Sequence, residues 1–98
     1  MTNEKTASWV YMLRCKNGSL YTGWTNDLAA RLRAHRQGKG AKYTRAFGAQ
    51  ALAYAQSLPD KSQGLRREAE LKKLTRAWKE ELCRAWQAQG ENLSLIHI

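Results

Sequence analysis

Residues 9–25 read WVYMLRCKNGSLYTGWT, and this stretch decides the fold of the chain. Its two ends, residues 9–14 and 20–25, are rich in β-branched and aromatic side chains, which favour β-strands. Between them, Asn17 and Gly18 supply residues that tolerate positive φ in a tight turn. The pattern therefore predicts a β-hairpin over residues 9–25.

A helix is predicted directly after the hairpin, over residues 27–37. Asn26 stands at the N-cap position, where a short polar side chain accepts a backbone hydrogen bond. Leu28, Leu32 and His35 recur at helical spacing along one face. Two glycines follow soon afterwards and are expected to end the helix.

The middle of the chain is predicted to be a basic loop followed by a third strand. The loop is expected over residues 39–48, which contain three Lys/Arg and two glycines. Residues 49–57, AQALAYAQS, alternate weakly and place Leu52 and Tyr54 on one face, which indicates a strand.

Two further helices are predicted towards the C-terminus. Asp60 and Gln63 have the spacing of a capping box before a helix over residues 61–73. The expected apolar face of this helix contains Leu65, Ala69 and Lys72, with Leu71 and Leu74 alongside. Thr75 can cap a last helix, whose apolar stripe is Trp78, Leu82, Ala85 and Trp86. The order β-β-α-β-α-α predicts an α+β domain with helices packed on a three-stranded sheet.

The chain of 98 residues has room for one domain, which we expect over residues 8–88. Residues 1–7 are expected to be a disordered tail, and their polar character excludes a signal peptide. Residues 89–98 are expected to be a second tail. Its last six residues, LSLIHI at 93–98, resemble the translation of a sequencing-adapter end, so we interpret them as an artefact and leave them out of the functional argument.

Two observations bear on the compartment. No apolar run approaches the ~20 residues of a membrane span, so no membrane association is expected. The two cysteines, Cys15 and Cys83, form neither a CxxC motif nor a disulfide framework. This usage is typical of a reducing environment, and we expect a cytoplasmic protein.

The charge is the first indication of function. Lys and Arg number 17 against 8 Asp and Glu, which gives a net charge of +9 at pH 7. Between Asp27 and Asp60 the chain contains no acidic residue at all. A basic surface kept for solubility is the alternative interpretation, but solubility does not require segregated charge. The clustering therefore favours binding to a polyanion such as a nucleic acid.

Two tyrosines give the hairpin a family resemblance. Tyr11 in Trp9-Val10-Tyr11 and Tyr21 in Tyr21-Thr22-Gly23 resemble the two half-motifs of the GIY-YIG nucleases, and the surrounding sequence is similar to small stand-alone bacterial members. The resemblance implies the GIY-YIG fold from about residue 8 to residue 82. The sequence departs from the family pattern at four places. Trp9 stands where the first half-motif has glycine, Thr22 is the middle residue of the second half-motif, and Trp24 stands where a lysine is often found. Lys79-Glu80-Glu81 occupies the region of the last helix where many members have an asparagine.

The resemblance also implies a chemistry, which is hydrolysis of phosphodiester bonds by water with one divalent metal ion, Mg²⁺ or Mn²⁺. Glu68 would be the metal ligand, and Arg31 would bind the scissile phosphate through its guanidinium fork. Tyr11 would be the general base, with its pKa lowered or its anion stabilised by Arg31 and the metal. Tyr21 would orient the water or hydrogen-bond Tyr11, and His35 would relay a proton or donate to the phosphate.

Each of these residues also has an ordinary structural interpretation. The glutamate and arginine are of types that usually lie on solvated helix faces, and the tyrosines are of a type that often fills a sheet core. The histidine is often half-buried in a helix. The family spacing favours the functional interpretation of all five.

The nucleic acid is expected to lie along the first helix and the basic loop. The residues assigned to this contact are Arg33, Arg36, Lys39, Lys42, Tyr43 and Arg45. Tyr43 is expected either to stack on a base or to plug the core. Trp78 and Trp86, at helical spacing with Leu82, are expected in the core.

The function predicted from these features is that of a cytoplasmic endonuclease that cuts DNA, with RNA or structured DNA as further substrates. A non-catalytic nucleic-acid-binding module is the first alternative. The second is a nuclease subunit that acts with a recruiting protein able to recognise DNA. A monomer or weak dimer is expected, with low sequence specificity of its own.

Overall fold

A computed structural model describes residues 8–89. The tails predicted over residues 1–7 and 89–98, including the suspected artefact at 93–98, lie outside the described residues apart from residue 89. The elements in chain order are β1 (Ser8–Cys15), β2 (Leu20–Thr25), α1 (Leu28–Arg36), α2 (Lys42–Phe47), β3 (Ala49–Leu58), α3 (Lys61–Lys72) and α4 (Arg76–Gln87). The predicted α+β architecture with a three-stranded sheet and flanking helices is confirmed.

The predicted hairpin is formed by β1 and β2. The strands pair antiparallel, with Tyr11 opposite Gly23 and Leu13 opposite Tyr21. Gly18 takes the positive φ of 89° that the turn requires. The backbone N–H of Ser19 donates to Asn17 Oδ1 at 3.1 Å, which closes the turn locally.

The sheet has the order β2-β1-β3, so β1 lies in the centre and β3 pairs with it antiparallel along the other edge. Because β1 is covered on both edges and both faces, four consecutive side chains are fully buried: Val10, Tyr11, Met12 and Leu13. The sheet centre is therefore the core of the domain, and Tyr11 is one of its members.

Helix α1 follows the hairpin as predicted, but its cap is one residue later than expected. Asp27, and not Asn26, is the N-cap, and its carboxylate accepts from the N–H of Ala30 at 3.1 Å. After the helix, Gly38 takes a positive φ of 77°. The residues that α1 buries are Leu28 and His35.

The loop predicted over residues 39–48 is wrong in its second half, because residues 42–47 form helix α2. The helix ends at Gly48, whose φ of 76° suits a C-terminal glycine. At its start, Ala41 offers no capping side chain. The sequence therefore carries no start signal for α2. The helix depends on contacts of its side chains with other elements, such as that of Thr44 with His35.

The predicted caps of α3 and α4 are both confirmed. Asp60 Oδ1 accepts from the N–H of Gln63 at 2.8 Å, and Thr75 Oγ1 accepts from the N–H of Trp78 at 3.2 Å. No helix within residues 8–89 is long and apolar enough to cross a membrane.

The predicted apolar faces of α3 and α4 are partly wrong. Leu65 and Trp78 are exposed, whereas Gly64 and Leu71 of α3 are buried. The reason is the close contact of α3 with the sheet, where a Cβ on residue 64 would collide with Ser8 Oγ and Trp24 Nε1. Only a glycine fits at this position, so Gly64 faces the sheet and Leu65 faces solvent.

Helix α4 is tied to the hairpin by a charged cluster. Arg14 on β1 donates to both carboxylate oxygens of Glu80 at 2.5 and 2.6 Å, and Arg76 donates to the carbonyl of Gly18 at 2.7 Å. The bidentate geometry holds α4 in register with the hairpin turn. Inside, α4 buries Cys83 and Trp86.

Candidate active site

The candidate site is built around the hydroxyl of Tyr11, on the central strand. Its opposite residue on β2 is Gly23, and a Cβ there would lie 2.6 Å from the Tyr11 hydroxyl and 2.9 Å from Cε2 of Tyr21. Because Gly23 has no side chain, the rings of Tyr11 and Tyr21 can occupy the space that a Cβ would fill. This gives the glycine of the second half-motif a steric reason.

Helix α1 supplies two partners to the Tyr11 hydroxyl. Arg31 Nε donates to it at 3.3 Å, and His35 Nε2 lies 3.1 Å from it. Arg31 and His35 are four residues apart, so one helix face presents both side chains to the same oxygen. The structure thus brings together three of the five residues predicted for catalysis.

His35 is buried and has a second polar partner. Its Nδ1 lies 2.8 Å from Thr44 Oγ1 on α2. Burial, together with the nearby charge of Arg31, lowers the pKa of His35 to about 4. The imidazole is therefore neutral at neutral pH, so one of its ring nitrogens has a lone pair that can accept a hydrogen bond.

In the metal-free protein, burial of the phenol raises the pKa of Tyr11 above its ordinary value. The hydrogen bond from Arg31 opposes this effect, and the negative charge of Glu68 adds to it. Tyr11 is consequently protonated at neutral pH. The sequence led us to expect that Arg31 and a bound metal together would lower this pKa or stabilise the Tyr11 anion, which stays a prediction for the metal-bound protein.

Tyr21 lies in an aromatic cluster beside these groups. Its ring centroid is 6.3 Å from that of Tyr11 and 5.7 Å from that of His35, and it stacks on Tyr43 at 6.1 Å. Tyr43 in turn packs on Phe47 and donates its hydroxyl hydrogen to Ser19 Oγ at 2.7 Å. Tyr43 remains partly exposed, so it is not the core plug that one interpretation expected.

Glu68 approaches the site from α3. Its carboxylate is mostly buried and pairs with Lys72 at 3.3 Å, one turn along the same helix. It is close enough to Tyr11 for its charge to raise the pKa of the phenol. Within residues 8–89, no three His, Cys, Asp or Glu side chains form a metal-binding group. A hard oxygen ligand of this kind fits Mg²⁺ or Mn²⁺ held mainly by water and substrate.

The cations predicted to contact nucleic acid lie on α1, on α2 and between them. All of them are exposed, and none pairs with an acidic side chain in the described part of the chain. The group consists of Arg33, Arg36, Lys39, Lys42 and Arg45, which we call the basic surface. With no acid between Asp27 and Asp60, its charge is not neutralised locally.

Sequence reasoning missed two residues that contact the site. Thr44 was considered only as part of the basic loop that could contact phosphate, because its contact with His35 exists only once α2 has formed. Gly40 was read only as a helix terminator, yet a Cβ there would lie 2.6 Å from Cε1 of His35. Both residues lie in the segment that was predicted to be a loop.

Comparison with known proteins places the fold and site in context. The sequence profile described as the GIY-YIG catalytic domain matches residues 7–81. A UPF0213 protein of Clostridium perfringens is 46% identical over 85 residues, which cover 87% of this chain and 91% of that protein. A UPF0213 protein of Streptococcus sanguinis is 49% identical over 69 residues, or 70% and 79% of the two chains.

Two solved structures are similar to this one. The solution NMR structure of a UPF0213 protein from Bacillus halodurans has a TM-score of 0.53 at 44% identity, covering 81% of this chain and 84% of that chain. The solution NMR structure of a protein from E. faecalis has a TM-score of 0.57 at 36% identity, covering 90% and 93%. With the two tyrosines meeting at one site and the profile spanning both sheet and helices, the chain belongs to the GIY-YIG family and is similar to its bacterial UPF0213 proteins.

Proposed function

We propose that this protein is an endonuclease that hydrolyses phosphodiester bonds in DNA with the help of one divalent metal ion. One observation carries the proposal. The Tyr11 hydroxyl lies between a neutral imidazole nitrogen and a guanidinium, with a carboxylate nearby on a third element. A proton acceptor, a permanent cation and a hard oxygen ligand are the groups that phosphodiester hydrolysis requires.

The proton path begins at the attacking water. Tyr11 accepts the proton of that water as it gives its own proton to His35 Nε2, so a free phenolate need not accumulate. The coupling avoids a free phenolate, which the raised pKa of the phenol disfavours, and it uses an imidazole that is neutral at neutral pH. Because the pKa of His35 is low, the protonated imidazole is short-lived. The water oxygen then bonds to phosphorus as the bond from phosphorus to the bridging oxygen of the strand breaks. The leaving oxygen takes a proton from solvent, and His35 releases its proton to solvent.

Arg31 and Glu68 stabilise the charge that develops on the phosphate. Arg31 uses Nε for Tyr11, and its guanidinium, which also contacts Tyr21, would donate from its terminal nitrogens to phosphoryl oxygens. Glu68 would hold Mg²⁺ or Mn²⁺, which when bound supplies positive charge at the cleaved phosphate. In the metal-free protein, Lys72 is the cation that pairs with the Glu68 carboxylate.

The basic surface would bind the sugar–phosphate backbone, which carries no sequence information. We therefore propose low intrinsic specificity for DNA, with RNA or structured DNA as further substrates and a recruiting protein as the source of targeting. The protein would act as a monomer or weak dimer in the cytoplasm. Both cysteines are free and buried, and burial raises the pKa of Cys83 to about 11, which suits a compartment without disulfides.

Plasmid nicking tests the proposal. The parent protein is incubated with supercoiled DNA in Mg²⁺ or Mn²⁺, with EDTA as the control, beside the Tyr11→Phe variant. Metal-dependent nicking that falls by at least ~10²-fold in Tyr11→Phe is expected. Binding of DNA with no cleavage by the parent in either metal, on duplex, nicked, flapped and single-stranded substrates, would instead favour the binding-module alternative.

A further inference from the structure

Thr44 is a buried residue of α2 that makes two hydrogen bonds. Its Oγ1 lies 3.0 Å from the carbonyl oxygen of Ala41 and 2.8 Å from His35 Nδ1. A carbonyl oxygen can only accept, so the single hydroxyl hydrogen of Thr44 is given to Ala41. The Thr44 oxygen is then left to accept from His35, which requires a hydrogen on Nδ1.

The hydrogen on Nδ1 determines the state of the other ring nitrogen. A neutral imidazole carries one hydrogen, so Nε2 has a lone pair. The Tyr11 oxygen, 3.1 Å away, must donate to it. Arg31 can only donate to the Tyr11 oxygen, so it does not compete for the same hydrogen. The donors thus run in one direction, from Arg31 through Tyr11, His35 and Thr44 to a backbone carbonyl.

The packing around the ring also resists a change in its orientation. A Cβ on Gly40 would lie 2.6 Å from Cε1 and 2.7 Å from Cγ of His35, so the backbone at this glycine is close against the ring. Thr44 and His35 are both more than nine-tenths buried, so water has little access to replace the Nδ1 partner.

We propose that Thr44 is a positioning residue that holds His35 in the Nδ1–H tautomer, so that Nε2 accepts the proton of Tyr11. The catalytic consequence rests on the proposed nuclease function, whereas the tautomer is a property of the free protein. The side chain of Thr44 bonds to His35 and to the Ala41 carbonyl and not to Tyr11, so it acts on Tyr11 through the imidazole.

The first test reads the tautomer directly. Long-range ¹H–¹⁵N correlation spectra of the protein with ¹⁵N-labelled histidine, at pH 7.5 without metal or DNA, show which ring nitrogen carries hydrogen. The His35 signals are assigned by their loss in His35→Gln. The parent and Thr44→Ser should show Nδ1–H, because both keep the hydroxyl. Thr44→Val, which is nearly isosteric but cannot accept, should lose this tautomer in most or all molecules. An unchanged Nδ1–H tautomer in folded Thr44→Val would overturn the proposal.

The second test measures cleavage by the same proteins. Thr44→Val should lower kcat by at least ~10-fold with KM and DNA binding unchanged, and Thr44→Ser should restore most of the rate. Thr44→Ala serves as the replacement if the valine variant fails to melt cooperatively. Equal kcat in parent and valine variant, with the tautomer changed, would overturn the positioning role. A parent that never cuts but shows Nδ1–H would overturn the nuclease function and still support the tautomer assignment.

Discussion

Glu68 and Glu70 on α3 differ in their exposure to solvent and in the cations that they contact. Glu68 pairs with Lys72 and is mostly buried, whereas Glu70 pairs with Arg67 and is largely exposed. Of these two carboxylates, only Glu68 is close enough to Tyr11 to affect the pKa of the phenol. The two residues therefore form a matched pair on one helix.

Glu68→Ala should reduce plasmid nicking in Mg²⁺ by at least ~10²-fold, because the anchor of the metal ion is removed. DNA affinity in EDTA should hold or rise slightly, since a negative charge next to the phosphate site is lost. Glu70→Ala should leave both quantities nearly unchanged. A folded Glu68→Ala protein that cuts as fast as the parent would show that the metal assignment is wrong.

Arg31→Ala should lose cleavage and part of the DNA affinity together, because the guanidinium contacts both Tyr11 and the phosphate in the proposed mechanism. Melting curves show whether the variant is folded. Nicking at the parental rate by this variant would remove Arg31 from the catalytic group.

His35 should also make the stability of the protein depend on pH. Its pKa is about 4 in the folded state against 6.5 for an ordinary histidine, so the unfolded chain binds the proton first as pH falls. Stability is therefore full above pH 6.5 and declines below it, by about 2 kcal/mol at pH 5. Denaturant unfolding of the parent and His35→Gln at pH 7 and 5 measures this. A similar loss in both proteins would assign the effect to other groups.

At the scale of elements, the hairpin and the helix caps follow from local patterns. The Asn17–Gly18 turn and the caps at Asp60 and Thr75 involve residues within three positions of one another. The faces of α3 and α4 do not, because they depend on which side chains the sheet can accommodate. Gly64 lies inward for this reason, and the more apolar Leu65 next to it lies outward.

Leu71 and Leu65 test the orientation of α3. Leu71→Ala should lower the free energy of unfolding by about 2–5 kcal/mol, because this side chain is fully buried. Leu65→Ala should change it by no more than about 0.5 kcal/mol, since residue 65 is exposed. Urea denaturation of the two variants measures both values. The reverse ranking would mean that the helix presents the face predicted from the sequence.

At the scale of the whole molecule, charge is segregated and not merely in excess. The acids of the described C-terminal part pair with neighbouring cations, as in the contacts of Glu80 with Arg14 and Arg76 and of Glu81 with Arg84. The basic surface on α1 and α2 has no such partners among residues 8–89. These exposed cations on α1, on α2 and between them are therefore available to a polyanion.

DNA binding should accordingly depend strongly on salt. If about four phosphates are neutralised, log K should fall against log[salt] with a slope near −3 to −4 for duplex DNA. The double variant Arg36→Gln, Lys39→Gln should make the slope shallower by about 1–2. Arg84→Gln, on the opposite end of the chain and paired with Glu81, is the matched control and should change it little. A slope near zero for the parent would contradict the assignment of a polyanion surface.

The sequence by itself determined the hairpin, the position of the three strand segments along the chain, the caps of α3 and α4, and the segregation of charge. These features depend on neighbouring residues or on composition, so they are present before the chain folds. The resemblance added the tyrosines, Arg31, His35 and Glu68 as candidates. Tertiary structure alone decided that α2 is a helix, that Thr44 contacts His35, and that burial raises the pKa of Tyr11. Each of these depends on contacts between different elements, and desolvation and packing act on a side chain only after those elements have met.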